Sequence, residues 1–170
     1  SIALKRWNDF VAGTASGEFA PSLDAYLKVT PSLTAALTLN TDFSATEVDD
    51  RQVNLTRFSL FLPEKRQFFN QDLDIFSFGG LEENGRPFFS RRLGLSDSGE
   101  PVDIIAGAKV SGRIGRWNVG FLDVLQDASA NVSQSNVFVG RAAANILEES
   151  SVGLIFTNGN PTGNLDNQLF

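Results

Sequence analysis

From Ser22 onward, apolar and polar side chains alternate with a period of two. Leu23, Ala25, Leu27 and Val29 fall on one side; Asp24, Tyr26, Lys28 and Thr30 fall on the other. This periodicity predicts a strand with one apolar face. Pro31 has no backbone donor and fits a turn, so Thr30-Pro31-Ser32 ends the run. Leu33, Ala35, Leu37 and Leu39 then resume the alternation against Thr34, Ala36, Thr38 and Asn40, which completes a β-hairpin. A third run sets Val102, Ile104, Ala106, Ala108 and Val110 against Asp103, Ile105, Gly107, Lys109 and Ser111. Residues 112–116 read as its turn, and Trp117, Val119, Phe121 and Asp123 begin the return. Weaker strands are expected over 136–143 and 151–157, separated by the polar stretch 147–150. A helix over 142–149 competes with the first of these, although Asn145 weakens it. The Asn- and Gly-rich stretch 158–167 reads as a loop, as does the small-residue run 12–17.

The pattern predicts an all-β fold, an antiparallel meander with polar turns and no convincing long helix. Opposite the apolar positions stand small or polar residues: Thr34, Thr38, Gly107, Ser111 and Gly120. Such two-faced strands suit a membrane barrel with one lipid-facing and one lumenal side. They also suit a soluble sheet with one solvated face, which periodicity taken alone favours.

Composition narrows the classes. With 170 residues, 42% of them apolar and 20% charged, the chain can build a folded core. A net charge of −6 argues against a nucleic-acid binder, which normally carries a basic stripe. No run of about 18 apolar residues is present, which rules out a membrane-spanning helix but not a barrel. Histidine, cysteine and methionine are absent. A Ser-His-Asp triad, thiolate chemistry, disulfides and imidazole metal ligation are therefore unavailable within this sequence. With no initiator methionine, the chain is expected to be processed or to be part of something longer.

Residues 54–79 break the meander. Eight of the fifteen phenylalanines lie between Phe58 and Phe89, beside an unbroken Glu64-Lys65-Arg66 triplet and Pro63. A loop with this much apolar area must be packed against its surroundings. Arg57, Glu64, Lys65, Arg66, Asp72, Asp74, Arg91 and Arg92 are its candidate ligand-binding or ion-pairing residues. Arginine forks that pair with carboxylates and pin irregular backbone are the favoured role, over a pore-lining array that selects solutes. Asp42, Glu47, Asp49 and Asp50 form a second acidic group. Asp72-x-Asp74 is a weak calcium candidate, because Ca²⁺ needs six to eight oxygen ligands and no EF-hand loop occurs. Paired carboxylates can also serve glycoside hydrolysis, but spacing in sequence gives no separation in space. No catalytic residue is assigned, no cofactor is expected, and catalysis is the less favoured outcome. Trp7, Tyr26 and Trp117 are candidates for sugar stacking or for a membrane girdle, with core packing as the commoner role.

Several blocks occur together in a fixed order: Asn40 to Ser44 (NTDFS), Asn54 to Phe58 (NLTRF), Leu62 to Phe69 (LPEKRQFF), Ser90 to Gly94 (SRRLG) and Lys109 to Arg113 (KVSGR). Over roughly residues 20–157 they resemble a bacterial outer-membrane β-barrel domain of unknown function that follows a family-9-type carbohydrate-binding module. The family pattern reads closer to Leu/Ile-Glu-Gly where this chain has Asn70-Gln71, so an acidic side chain is missing from the loop. The resemblance implies a leading segment or linker over 1–20 and the first part of a barrel over 21–170, with the Phe/Arg-rich segment as an ordered loop or plug. It implies an outer-membrane location, lipid as a partner and a link to carbohydrate or another surface ligand. The alternative is a soluble β-rich accessory domain, periplasmic or at the cell surface, of a carbohydrate-active and possibly hydrolytic protein. Neither reading sets the oligomeric state.

Overall fold

The computed structural model describes residues 2–9, 14–41, 64–79, 86–96, 102–128, 132–147, 150–161, 163 and 167–170. Strands β1 (Ile2–Asp9) and β2 (Thr14–Pro21) pair as an antiparallel hairpin. The small-residue run 12–17, expected as a loop, thus contributes to a strand from Thr14. The larger sheet contains β3 (Leu23–Thr30), β4 (Leu33–Thr41), β5 (Ile104–Ile114), β6 (Trp117–Gln126), β7 (Ser135–Asn145), β8 (Ser151–Asn158) and β9 (Gln168–Leu169). Each strand pairs antiparallel with the next, so the order β3-β4-β5-β6-β7-β8-β9 is an uninterrupted meander. The fold is all-β, and the helical elements among the described residues are short turns: α1 (Gln67–Asn70) and 3₁₀ turns at Leu73–Phe76 and Ser90–Arg92.

Three further expectations are corrected here. The stretch considered as a helix over 142–149 is strand as far as Asn145, because Ala142, Ala143 and Ala144 pair with Leu154, Gly153 and Val152. Cross-strand pairing overrides the helical preference of alanine. Ile104 also leaves the face assigned to it. A register shift between Ile104 and Ala106 inserts an extra residue, and Ile104 turns to the covered side opposite Gln126. The turn after β5 is shorter than expected, since the strand runs on to Ile114.

Registers sort every side chain onto one of two faces. One carries Leu23, Ala25 and Leu27, then Ala35, Leu37 and Leu39, with Ala106, Ala108 and Val110 following in register. It continues through Val119, Phe121 and Leu125 to Phe138 and Ala142, then Leu154 and Phe156. This apolar face is open: Leu27 is 66% exposed, Leu154 61% and Phe121 49%. Asp123 is its charged exception. The opposite face is covered by the segments 64–79 and 86–96. Buried Phe68, Phe69, Phe76 and Leu93 of those segments pack with Ala36, Ile104, Leu122, Val124, Val137, Val139 and Ile155 of the strands. The core therefore lies between one sheet face and the Phe-rich segment, and the apolar sheet face lies outside it.

Candidate functional site

The covered face owes its shape to two glycines. A Cβ on Gly107 would stand 2.8 Å from Thr38 Cγ2 and 3.1 Å from Phe68 Cζ. On Gly120 it would stand 2.9 Å from Ile75 Cγ2 and 3.0 Å from Phe76 Cε1. Only a residue without a side chain lets the phenylalanine rings rest on the strand backbone at these points. The Phe68 and Phe69 rings meet edge to face at 5.0 Å, the geometry their quadrupoles favour.

Polar ties then hold the irregular backbone of the segment. Lys109 points from β5 into the covered side and donates to the carbonyls of Phe68 and Gln71 at the end of α1. Ser111, the next residue on that face, donates to Asp72 Oδ2 at 2.7 Å. Asp72 adopts the left-handed conformation (φ 54°), which an aspartate tolerates better than most residues. Arg141 on β7 donates from Nε to the Ser77 carbonyl at 3.0 Å, and its guanidinium lies over the Phe78 ring. Gln126 accepts from the Gly94 amide and donates to the Pro161 carbonyl. Apart from the Ser111–Asp72 bond, which joins two side chains, each tie gives a partner to a main-chain group of an irregular segment.

At the centre is Arg66. Its Nε and Nη2 form a two-pronged pair with Glu64 Oε1 and Oε2, both at 2.8 Å. The same guanidinium donates to the carbonyls of Leu93 at 2.6 Å and Ser90 at 2.8 Å. Ser90 Oγ in turn donates to Glu64 Oε2 at 2.7 Å. One buried ion pair thereby joins the segments 64–79 and 86–96, and the Arg66 guanidinium also stacks over Phe69 at 4.3 Å. Burial alone would raise the Glu64 carboxyl, but the hydrogen bonds and charge of Arg66, with Ser90, hold it below its ordinary value.

This shift has a defined pH consequence. Because Glu64 is more acidic when folded, its stabilising contribution is complete above the ordinary value of 4.5 and is lost as pH falls through the lower folded value. Hydrogen exchange at the Phe69 and Asn70 amides is expected to accelerate, relative to the strands, only below that point. In Glu64→Gln the acid-specific loosening disappears. Loosening that begins in the neutral range would count against this assignment.

The structure brings Glu64 and Arg66 together and sets Asp72 against Ser111. Lys65 is exposed on the rim, as are Asp74 and Arg92, while Arg91 is half-buried in the Ser90–Arg92 turn. Arg57 and the acidic group Asp42, Glu47, Asp49 and Asp50 lie outside the described residues. Among the described residues, no three acidic side chains converge on a site for a metal ion. Sequence reasoning passed over Lys109, Ser111, Gln126 and Arg141. Their signal was available: each is polar or charged within a strand, on the face opposite the exposed apolar residues.

Beside α1 the covering segment leaves a cavity of about 630 Å³ against β3 and β4. Tyr26, Lys28 and Thr34 form its floor, and Lys65, Gln67, Asn70 and Gln71 its wall.

Comparison with known proteins adds one match. Residues 5–149 match a family described as a domain of unknown function (DUF5916). No curated protein and no solved structure matches the chain.

Proposed function

The chain belongs to the DUF5916 family, and on that premise we propose that it forms part of a bacterial outer-membrane β-barrel. Its apolar face meets lipid, and the Phe/Arg-rich segment acts as a lumenal plug. The carrying observation is the sidedness of the sheet: the face rich in Leu, Val, Ala and Phe is the open one, while the face bearing Lys109, Ser111 and Arg141 is covered. A soluble sheet would hide the apolar face and wet the polar one. Strands β3 to β8 contain 8 to 11 residues, close to the roughly 9–11 that cross a bilayer at a tilt of about 45°. Trp117 stands at the end of β6, where a membrane girdle would place it. The link to carbohydrate or another surface ligand rests on the resemblance of the sequence blocks, and the role proposed is admission or handling of solute rather than catalysis.

Leu37 lies mid-strand on the open face. In a bilayer, Leu37→Arg is expected to destabilise the folded protein by about 2–4 kcal/mol. On a water-facing surface the same change costs less than about 0.5 kcal/mol. Folding into lipid vesicles, followed by heat-modifiable gel mobility, reads the difference. A protein that is folded and monomeric without detergent or lipid, and indifferent to Leu37→Arg, would overturn the membrane reading.

A further inference from the structure

We infer that the rim of the sheet with the short turns lies among the phospholipid headgroups of the periplasmic leaflet, and that the covering segment hangs from the opposite, cell-surface rim. The inference deepens the barrel reading above by naming the leaflet that each rim meets, and it rests on that reading.

In an uninterrupted antiparallel meander, successive connections fall at alternate ends of the strands. Here the two ends differ sharply in the length of chain they carry. Pro31 and Ser32 join β3 to β4, Gly115 and Arg116 join β5 to β6, and residues 146–150 join β7 to β8. At the other end the connections are residues 42–103, 127–134 and 159–167. Bacterial outer-membrane barrels carry short turns on the periplasmic side and longer loops outside. The short rim is also fastened. The Arg113 amide donates to the Ser32 carbonyl at 2.7 Å and Ser32 Oγ donates to the Arg113 carbonyl at 3.2 Å, which ties the β3–β4 turn to the end of β5. Gly115 adopts φ 60°, as a two-residue hairpin turn requires. The covering segment belongs to the long connection between β4 and β5. At that end of β6, Gln126 holds both its Gly94 amide and the Pro161 carbonyl of the 159–167 connection.

The open face changes character between the same two rims. Towards the short rim it stays apolar to the strand ends, at Ile114, Trp117 and Val152, all exposed. Towards the long rim it turns polar on three neighbouring strands, at Asp123, Asn136 and Asn158. An apolar band set nearer the short rim displaces Asp123 towards the outer headgroups, which accounts for a carboxylate on a lipid-facing wall. Trp117 supplies the indole that settles at headgroup level, and the Arg116 guanidinium lies 5.9 Å over its ring. Arg113 and Arg116, both exposed, can donate to lipid phosphate oxygens. Glu148 and Glu149 belong to the third short connection, so connection length and the open face, rather than net charge, orient the sheet.

Because the sequence contains no cysteine, a single introduced cysteine reports only its own exposure. The test is labelling of intact cells that carry the protein in their outer membrane, with a polymer-linked maleimide too large to enter porins. Asp127→Cys and Asn167→Cys, exposed positions at the long rim, are expected to be labelled on intact cells. Arg116→Cys, in the β5–β6 turn, is expected to be labelled only once the outer membrane is permeabilised. Three results would overturn the inference: label on Arg116→Cys in intact cells, none on it after permeabilisation, or none on either long-rim cysteine in intact cells. The label is read as a gel shift on protein with heat-modifiable mobility, so only inserted protein is scored. A protein that fails to insert takes down the barrel reading and this orientation together. An inserted one with the wrong labelling loses the orientation alone.

Discussion

Arg66→Ala is expected to detach the covering segment, at a cost of about 3–5 kcal/mol, the usual penalty for removing one partner of a buried ion pair. The Arg66 and Glu64 side chains are 10% and 2% exposed, so solvent screens the pair little. Removing the guanidinium leaves the Glu64 carboxylate buried with only Ser90 Oγ and the residue 66 amide as donors. It also strips the carbonyls of Ser90 and Leu93 of their charged donor, and takes away the cation over Phe69. These losses fall on both covering segments at once, which Arg66 ties together beside the Ser90–Glu64 hydrogen bond and the Phe76–Phe88 ring contact, so they should act together. Hydrogen exchange is the suitable readout, because the covering segment can open while the sheet persists. Amides at Phe69, Asn70, Gln71 and Leu93, all bonded within the covering segments, should lose protection, while those of β5 to β7 keep it. Arg116→Ala, an exposed cation in a turn, is the comparison. Equal protection of the four amides in both variants would rule out charge pinning as the device that holds the segment.

The second large effect concerns Gly120. A Cβ there would stand 2.9 Å from Ile75 Cγ2 and 3.0 Å from the Phe76 ring, both in the covering segment, so something must shift to admit a valine. The strand backbone is tied on both sides, to Ser111 on β5 and Arg141 on β7, so the covering segment must yield. Overpacking of this kind costs about 1–3 kcal/mol. Phe76→Ala alone should cost about 3–5 kcal/mol through the cavity it leaves. The double variant is expected to be less destabilised than the sum, because the valine methyls occupy the space vacated by the ring. Strictly additive denaturation energies would show that the ring does not rest on Gly120.

Both effects depend on residues whose importance is unevenly legible in the sequence. Glu64 and Arg66 stand out because a charged pair among phenylalanines calls for a structural reason, and their separation by a single residue makes them obvious partners. The small residues at 107 and 120 were visible as oddities on the polar face, yet nothing local connects Gly120 to Phe76. That contact spans more than forty residues and exists only once the meander forms. Lys109 is similar. In sequence it is one more polar residue in an alternating strand, and it becomes a clamp only because the irregular carbonyls of Phe68 and Gln71 come to lie above it.

Much of the fold was nevertheless written locally. The period of two in residues 23–29, 33–39 and 106–110, together with the turns between strands, determines an antiparallel meander and divides its side chains into two sets, since successive Cβ atoms must point to opposite faces. Local pattern could not say which set the rest of the chain would cover. An alternating strand has two faces whatever its surroundings, and a soluble sheet and a lipid-facing wall share that period. The choice was made by the covering segment, whose rings find flat places at Gly107 and Gly120 on the polar side and whose stray carbonyls find Lys109 and Arg141 there. The same long-range packing accompanies the bulge that turns Ile104 inward. Sequence alone determined the strands and their two faces; tertiary contact decided which face is the inside.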